Sequence, residues 1–380
     1  MEAVGRRPRI LYVVVEDWFF CSHFLGFARA ARDAGFDVAV VTRVREHRAL
    51  IEATGARVFS VEAERRSLNP FANLAQVWRL RRVIADEQPD IVHLIGLKPI
   101  VLGALAARFA GVGRRVVALT GLGFIGAGQG RLADAIRLGV RLVLRSVADG
   151  RHAHFLFENR SDPAVLGLDP DDAAKVTIVG GAGIDPVALV PAPLPVGPPL
   201  RVAMVARMLW SKGVDLAVEA VTQARARGAD VTLSLYGAPD MSNPRALSEA
   251  DLKGWAQREG IVWHGPTRDV SGVWAAHHLA ILPSRGGEGL PRTLLEAAAC
   301  GRAILTSDVP GCRDFVREGI DGHVVPANDA MALADALMKL ADDPGRVAAM
   351  GQAARARVLD GHTEAAVTGD VMAMYRRMLA

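Results

Sequence analysis

Two stretches of this chain carry side chains of the types and spacing that chemistry needs. The first is Pro283-Ser-Arg-Gly-Gly-Glu-Gly-Leu-Pro-Arg-Thr-Leu-Leu-Glu296. An apolar run ends at Pro283, a glycine-rich loop follows, and Pro291 suits the first position of a helix through Leu294–Cys300. Proline is tolerated there because its missing amide would have no helical partner anyway. Such a start, with free amides and the positive end of the helix dipole, is an anion site, and the glycines let a phosphate come close. Glu288 and Glu296 flank it. Two carboxylates against a phosphate would repel it. They are better placed to accept hydrogen bonds from hydroxyls on either side of a diphosphate, one on a sugar and one on a ribose.

The second stretch is Ala206-Arg-Met-Leu-Trp-Ser-Lys-Gly213, between the strand-like run Arg201–Val205 and the helical pattern Asp215–Arg227. Arg207 offers a bidentate fork and Lys212 a point charge, both just beyond the carboxyl end of a strand. Only five of the 45 basic residues are lysines, and Lys212 is one of them.

These loops need elements to hold them. Short β-branched runs (Arg9–Val15, Val38–Val41, Ile91–Leu94, Val116–Thr120, His154–Phe157, then Arg201–Val205, Val231–Leu235, Ile261–His264, Leu279–Leu282 and Ala303–Thr306) alternate with helical patterns. The helices include Leu25–Ala34, Leu74–Ala85, Asp215–Arg227 and Met331–Ala341. That alternation predicts βαβ units and parallel sheets. Six prolines between 186 and 200 forbid helix and interior strand, and read as a stiff connector. The chain is thus expected to form two doubly wound α/β, Rossmann-like halves facing across a cleft: residues 1–186, a linker at 187–200, and 201–362. A terminal helix at 363–380 is expected to pack back on the first half. Ligands in such folds sit beyond the carboxyl ends of the strands.

With these residues in view, the sequence resembles the family 4 retaining glycosyltransferases of the GT-B fold. The resemblance rests on Glu288-x7-Glu296 with its Glu-Gly-Leu-Pro core, Arg207-x4-Lys212-Gly213, Asp308-Val-Pro-Gly311, Gly319-x2-Gly322 and Gly181-Ala-Gly-Ile-Asp185. In the first half, Asp17-Trp-Phe-Phe-x-Ser-His23, Pro89-Asp-Ile-Val-His93, Lys98-Pro99, Thr120-Gly-Leu-Gly123 and Phe157-x-Asn159 look like the bacterial polysaccharide and lipid-linked glycan branch. The resemblance implies a nucleotide-sugar donor, taken to be a UDP-sugar, bound by the second half, and a glycan acceptor on polyprenyl diphosphate bound by the first. Arg207 and Lys212 would hold the diphosphate and stabilise its departure, with Glu288 on the transferred sugar. Gly289, Leu290 and Pro291 would cap the phosphate and sugar, Glu296 the ribose, and Tyr236, Gly237 and Arg268 would frame the base. His23, His93, Lys98, Gly121 and Gly123 are the acceptor-side candidates. Neither a metal nor another cofactor is expected, since cations and a helix start can meet the charge of the leaving group. Two positions depart from the family pattern. Gly121-Leu-Gly123 stands where many relatives carry a histidine, and Ala182 stands where an asparagine is usual.

Other signals weigh less. Gly121-Leu-Gly-Phe-Ile-Gly126 matches a dinucleotide fingerprint, but no acidic residue ends the following strand. Asp169-Pro-Asp171 sits in an acidic turn, which a solvated helix start explains. The helix expected over Arg131–Ala148 gathers Arg131, Arg137, Arg141 and Arg145 on one side with Leu138 and Leu142 among them, a pattern suited to an anionic membrane surface. Residues 65–151 hold 14 basic against 5 acidic side chains, and no nucleic-acid module accompanies them. Met1–Pro8 lacks a secretory apolar core, no stretch reaches the ~20 apolar residues that span a bilayer, and Cys21, Cys300 and Cys312 fit a reducing compartment. The expectation is a cytoplasmic enzyme, peripheral on the inner membrane face. A GT-B sugar-nucleotide epimerase and a non-catalytic nucleotide- or carbohydrate-binding scaffold are the alternatives.

Overall fold

A computed structural model describes residues 6–62, 69–121, 130–148, 150, 152–241 and 243–380; the side chains of 131–133, 136 and 147 lie outside that description. The chain divides into two compact units, one of residues 1–120, 129–182 and 364–380, the other of 121–128 and 183–363.

The first unit is built on seven strands: β1 (Arg9–Glu16), β2 (Asp37–Arg43), β3 (Arg57–Ser60), β4 (Ile91–Ile95), β5 (Arg115–Leu119), β6 (Ala153–Phe157) and β7 (Val176–Ile178). They pair in the order 3-2-1-4-5-6-7, every pairing parallel. Every residue of β4, β5 and β6 is buried, as expected of parallel strands covered on both faces. The terminal helix Glu364–Leu379 completes this core, packing Val367, Val371, Met374 and Tyr375 with Ile10, Tyr12, Phe20 and Phe24.

The second unit is built on β8 (Leu200–Val205), β9 (Val231–Tyr236), β10 (Ile261–Gly265), β11 (Leu279–Leu282), β12 (Ala303–Ser307) and β13 (Gly322–Val325), parallel in the order 10-9-8-11-12-13. The strand order reverses between β8 and β11, where such sheets leave room for a ligand beyond the strand ends. Both stretches singled out in the sequence leave from this point.

The proline-rich stretch differs from a free connector. It groups with the second unit, and residues 190–196 carry neither helix nor strand. Buried Arg302 donates from Nη2 to the Ala192 carbonyl at 2.6 Å. His278 bonds the Pro195 carbonyl through Nε2 at 2.9 Å, while its Nδ1 accepts the Arg201 amide at 3.0 Å. Proline density foretold the extended backbone; side chains far along the chain decide where it is pinned.

Candidate active site

After β8 the chain makes a single 3₁₀ turn, Trp210–Lys212, and closes it on Gly213 at φ 71°. A Cβ on Gly213 would collide with the Pro283 carbonyl, so glycine lets this turn lie directly on the loop leaving β11. The contact brings Lys212 Nζ to both carboxylate oxygens of Glu288, at 2.8 and 2.7 Å. Ser284 Oγ donates to the same carboxylate at 2.7 Å. The two charged side chains are 17% and 11% exposed, shielded enough to attract strongly and open enough to reach a ligand. A third loop supports the second. Gly311, at φ 80° after β12, is where a side chain would strike the Gly289 carbonyl, which gives the Asp308-Val-Pro-Gly311 motif a steric reason.

The helix starts one residue later than expected: Pro291 is its N-cap and Arg292–Ala299 its body. Leu290 and Pro291 are buried against the unit. Glu296 lies in the second turn, where burial raises its pKa against the opposing charge of Arg292, whose Nε donates to it at 2.8 Å. Arg207, beyond β8, directs Nη1 to Asp240 at 2.8 Å. The structure therefore unites Lys212 with Glu288, while Arg207 is neutralised by a different carboxylate on the loop after β9.

Tyr236 packs among aromatic neighbours. Its half-buried ring stacks on His264 with centroids 4.5 Å apart and meets His277 edge-on. Gly237 allows close approach, since a Cβ there would strike the Ala206 carbonyl. Arg268 is exposed on the loop after β10.

Sequence reasoning passed over Arg285. Its Nη1 and Nη2 fork onto Asp215 at 2.8 and 2.7 Å, Nη1 also donates to the Trp210 carbonyl at 2.7 Å, and Nε donates to Asn328 at 3.0 Å. Its amide donates to the Ser211 carbonyl at 2.8 Å, and its guanidinium lies 4.3 Å from the Trp210 ring centre. One side chain thus clamps the Lys212 turn to the Glu288 loop. Its partner, Asp215, lies 70 residues earlier, so no local pattern could have revealed it.

The acceptor-side candidates occupy different settings. His93 is fully buried: its Nδ1 meets Tyr375 Oη at 2.5 Å, and Tyr375 Oη donates to Tyr12 Oη at 3.0 Å. Burial lowers its pKa to about 3, so it is a neutral core residue beneath the terminal helix. His23 lies against Phe19, ring centroids 4.4 Å apart and planes tilted by 31°, and shares a 2.7 Å hydrogen bond with Ser22. Lys98 is half-buried in the first turn of the Leu97–Phe109 helix. Gly121 groups with the second unit, where a Cβ would strike the backbone of Glu288 and Gly289; Gly123 lies outside the described residues. Asp17, from the first-half motif, is a structural anchor whose carboxylate accepts the amides of Trp18, Arg45, Glu46 and His47.

The arginine face of the Arg131–Val143 helix is also differently arranged. Arg137 pairs with Asp134 at 2.7 Å, Arg145 donates to the Gly167 carbonyl at 3.1 Å, and Arg141 lies against Gly167. The Arg131 side chain lies outside the description. These arginines are thus paired with acceptors of their own unit at its surface.

Two parallel α/β units, with a cation–carboxylate pair at the strand-order reversal of the second, define a GT-B glycosyltransferase architecture. Residues 9–146 match a family model described as glycosyl transferase 4-like, and residues 199–343 match one described as glycosyl transferases group 1. The chain belongs to this glycosyltransferase family. It is 28% identical to the N,N'-diacetylbacillosaminyl-diphospho-undecaprenol alpha-1,3-N-acetylgalactosaminyltransferase of Campylobacter jejuni, over 84% of this chain and 86% of that protein. It is 27% identical to a GDP-mannose-dependent alpha-(1-6)-phosphatidylinositol monomannoside mannosyltransferase of Mycolicibacterium smegmatis, over 74% and 75%. Its fold is similar to that of Anabaena HepE, solved with UDP-glucose, with a TM-score of 0.77 at 16% identity over 97% of this chain and 99% of that one. Among the described residues, no helix is long and apolar enough to cross a membrane.

Proposed function

We propose that this glycosyltransferase moves a hexose or N-acetylhexosamine from a UDP-sugar, with retention of anomeric configuration, to a glycan carried on polyprenyl diphosphate. The observation that carries the reading is the Lys212–Glu288 contact, made by two loops that leave adjacent strands at the point where the strand order reverses. An arriving diphosphate takes Lys212, and Glu288 is released to accept a sugar hydroxyl. Arg207 reaches the same diphosphate by exchanging Asp240 for it.

In the transfer, the bond between the sugar anomeric carbon and the diphosphate oxygen breaks, and a bond from that carbon to the acceptor oxygen forms on the same face. The acceptor proton passes to the departing phosphate. Negative charge grows on that phosphate, and Lys212, Arg207 and the amides opening the Arg292–Ala299 helix stabilise it, a contribution of about 3 kcal/mol for each well-aimed donor. The proposal calls for no metal. Support for a UDP-sugar comes from the HepE complex and for a lipid-linked acceptor from the Campylobacter relative; the mannosyltransferase makes GDP-mannose the competing donor. A lipid-linked acceptor places the enzyme at a membrane surface, on the cytoplasmic side where nucleotide sugars are made.

The test is transfer from a panel of UDP- and GDP-sugars to undecaprenyl-diphosphate-linked saccharide, with the linkage read by NMR. An α-linked product from a UDP-α-sugar, absent with Glu288→Ala, is the expected result. An inverted linkage, or a donor sugar epimerised without acceptor, would refute the reading.

A further inference from the structure

An exposed cluster on the first unit takes no part in the site above. On the Pro70–Glu87 helix, Phe71, Leu74, Trp78 and Arg82 fall within one arc of about 80°. Phe71, Leu74 and Trp78 are 80%, 55% and 52% exposed. Phe109, at the end of the Leu97–Phe109 helix, stacks on Trp78 with centroids 6.1 Å apart and planes 11° from parallel, and is itself 54% exposed. The cluster is built, not frayed. Asn69 caps the helix by accepting the Phe71 and Ala72 amides, and Arg81 ties the two helices by donating to the Phe109 carbonyl at 3.2 Å. Arg79, Arg82 and Arg108 stand exposed around it, and none of the three has a salt bridge among the described residues.

We propose that this face seats the first unit on an anionic lipid bilayer, with Phe71, Leu74, Trp78 and Phe109 entering the headgroup layer and the arginines meeting lipid phosphates. Aromatic residues favour that interface because one body is apolar and the setting half wet, and arginines without a salt bridge among the described residues find counter-charges there. A second copy of the chain fits less well. A two-fold contact brings the same patch against itself, setting one arginine-rimmed surface against another of the same sign. The proposal takes its biological use from the reading above, in which a lipid carries the acceptor, and its physics from this surface alone. It uses a different face from that of the Arg131–Val143 helix, where Arg137 is paired with Asp134.

The test is co-sedimentation of the full chain with phosphatidylglycerol-rich or pure phosphatidylcholine vesicles, beside calorimetric titration with UDP. Wild-type protein should partition onto the anionic vesicles. Trp78→Glu and Phe71→Glu should each lower the partition about tenfold or more. The Arg79→Ser/Arg82→Ser pair should lower it about thirtyfold. Leu138→Glu/Leu142→Glu should leave it unchanged, and UDP affinity should match wild type throughout. Equal partition of wild type and the Phe71, Trp78 and arginine variants would overturn the proposal. So would loss with the Leu138/Leu142 pair alone, or a concentration-dependent dimer abolished by Trp78→Glu with no vesicle binding. Vesicle binding without UDP binding would sink the transferase reading and leave this surface standing.

Discussion

The substitution His93→Asn removes a titrating ring from the first core while leaving an amide for the Tyr375 hydroxyl. Burial lowers the His93 pKa from 6.5 to about 3 in the folded chain, so between those values the unfolded chain binds a proton that the folded chain refuses. Its contribution to stability is therefore present above about pH 6.5 and is lost progressively as the pH falls toward 3. From pH 7.5 to 5.5 the folded group stays neutral and the unfolded group charges, which costs about 1.4 kcal/mol. His154, His277 and His278 are also lowered by burial, so wild-type protein loses more than this in total, and comparison with the variant isolates His93. Urea unfolding followed by circular dichroism at the two pH values supplies the measurement. The His93→Asn variant should be less stable at pH 7.5 because loss of the ring leaves a void, yet should lose about 1.4 kcal/mol less than wild type on acidification. Identical losses in the two proteins would mean that folded His93 titrates as if in water, and its burial under Tyr375 would be wrong.

Three further outcomes follow from the loops. Gly311→Ala must leave its positive φ or push the Gly289 carbonyl, so UDP-sugar affinity should fall at least tenfold, more than the strain of about 1 kcal/mol accounts for; calorimetry and thermal melting together read this. Asp17→Ala leaves the amides of residues 45–47 without their acceptor and should cost about 2–3 kcal/mol in urea unfolding. Burial would raise the Asp17 pKa, but its four backbone donors lower it, so its stabilisation holds above about pH 3.8 and fades as the pH falls further, well below the pH 7.5 to 5.5 step that reads His93. Arg285→Lys keeps a cation beside Trp210 but loses the fork to Asp215. It should lower kcat/KM about tenfold or more while UDP affinity changes little, since the clamp sets the register of the two loops.

Much of this architecture was legible because buried parallel strands advertise themselves as apolar runs; Leu279–Leu282 was found to the residue. The edge strands β3 and β13 escaped, the first because Arg57-Val-Phe-Ser60 is half polar, the second because it opens on Gly-His. Lys212 and Glu288 were each legible as candidate site residues, one as a cation beyond a strand's carboxyl end and the other as a carboxylate in a glycine-rich loop; the contact between them was not, since 76 residues separate the pair. His93 could not be placed, since a histidine in an apolar strand reads the same whether it faces the core or a ligand. The proline-rich segment and Arg285 teach the same lesson: Ala192 is held by Arg302 and Arg285 by Asp215, partners set by topology and not by local spacing.

The central claim, that Lys212 and Glu288 divide a sugar diphosphate between them, is tested most directly by titrating UDP and a UDP-sugar into wild-type, Lys212→Ala and Glu288→Gln proteins by calorimetry. Lys212→Ala should weaken both ligands about tenfold or more, whereas Glu288→Gln should keep UDP affinity and lose the gain the sugar adds. Wild-type affinity for both ligands in both variants would contradict it.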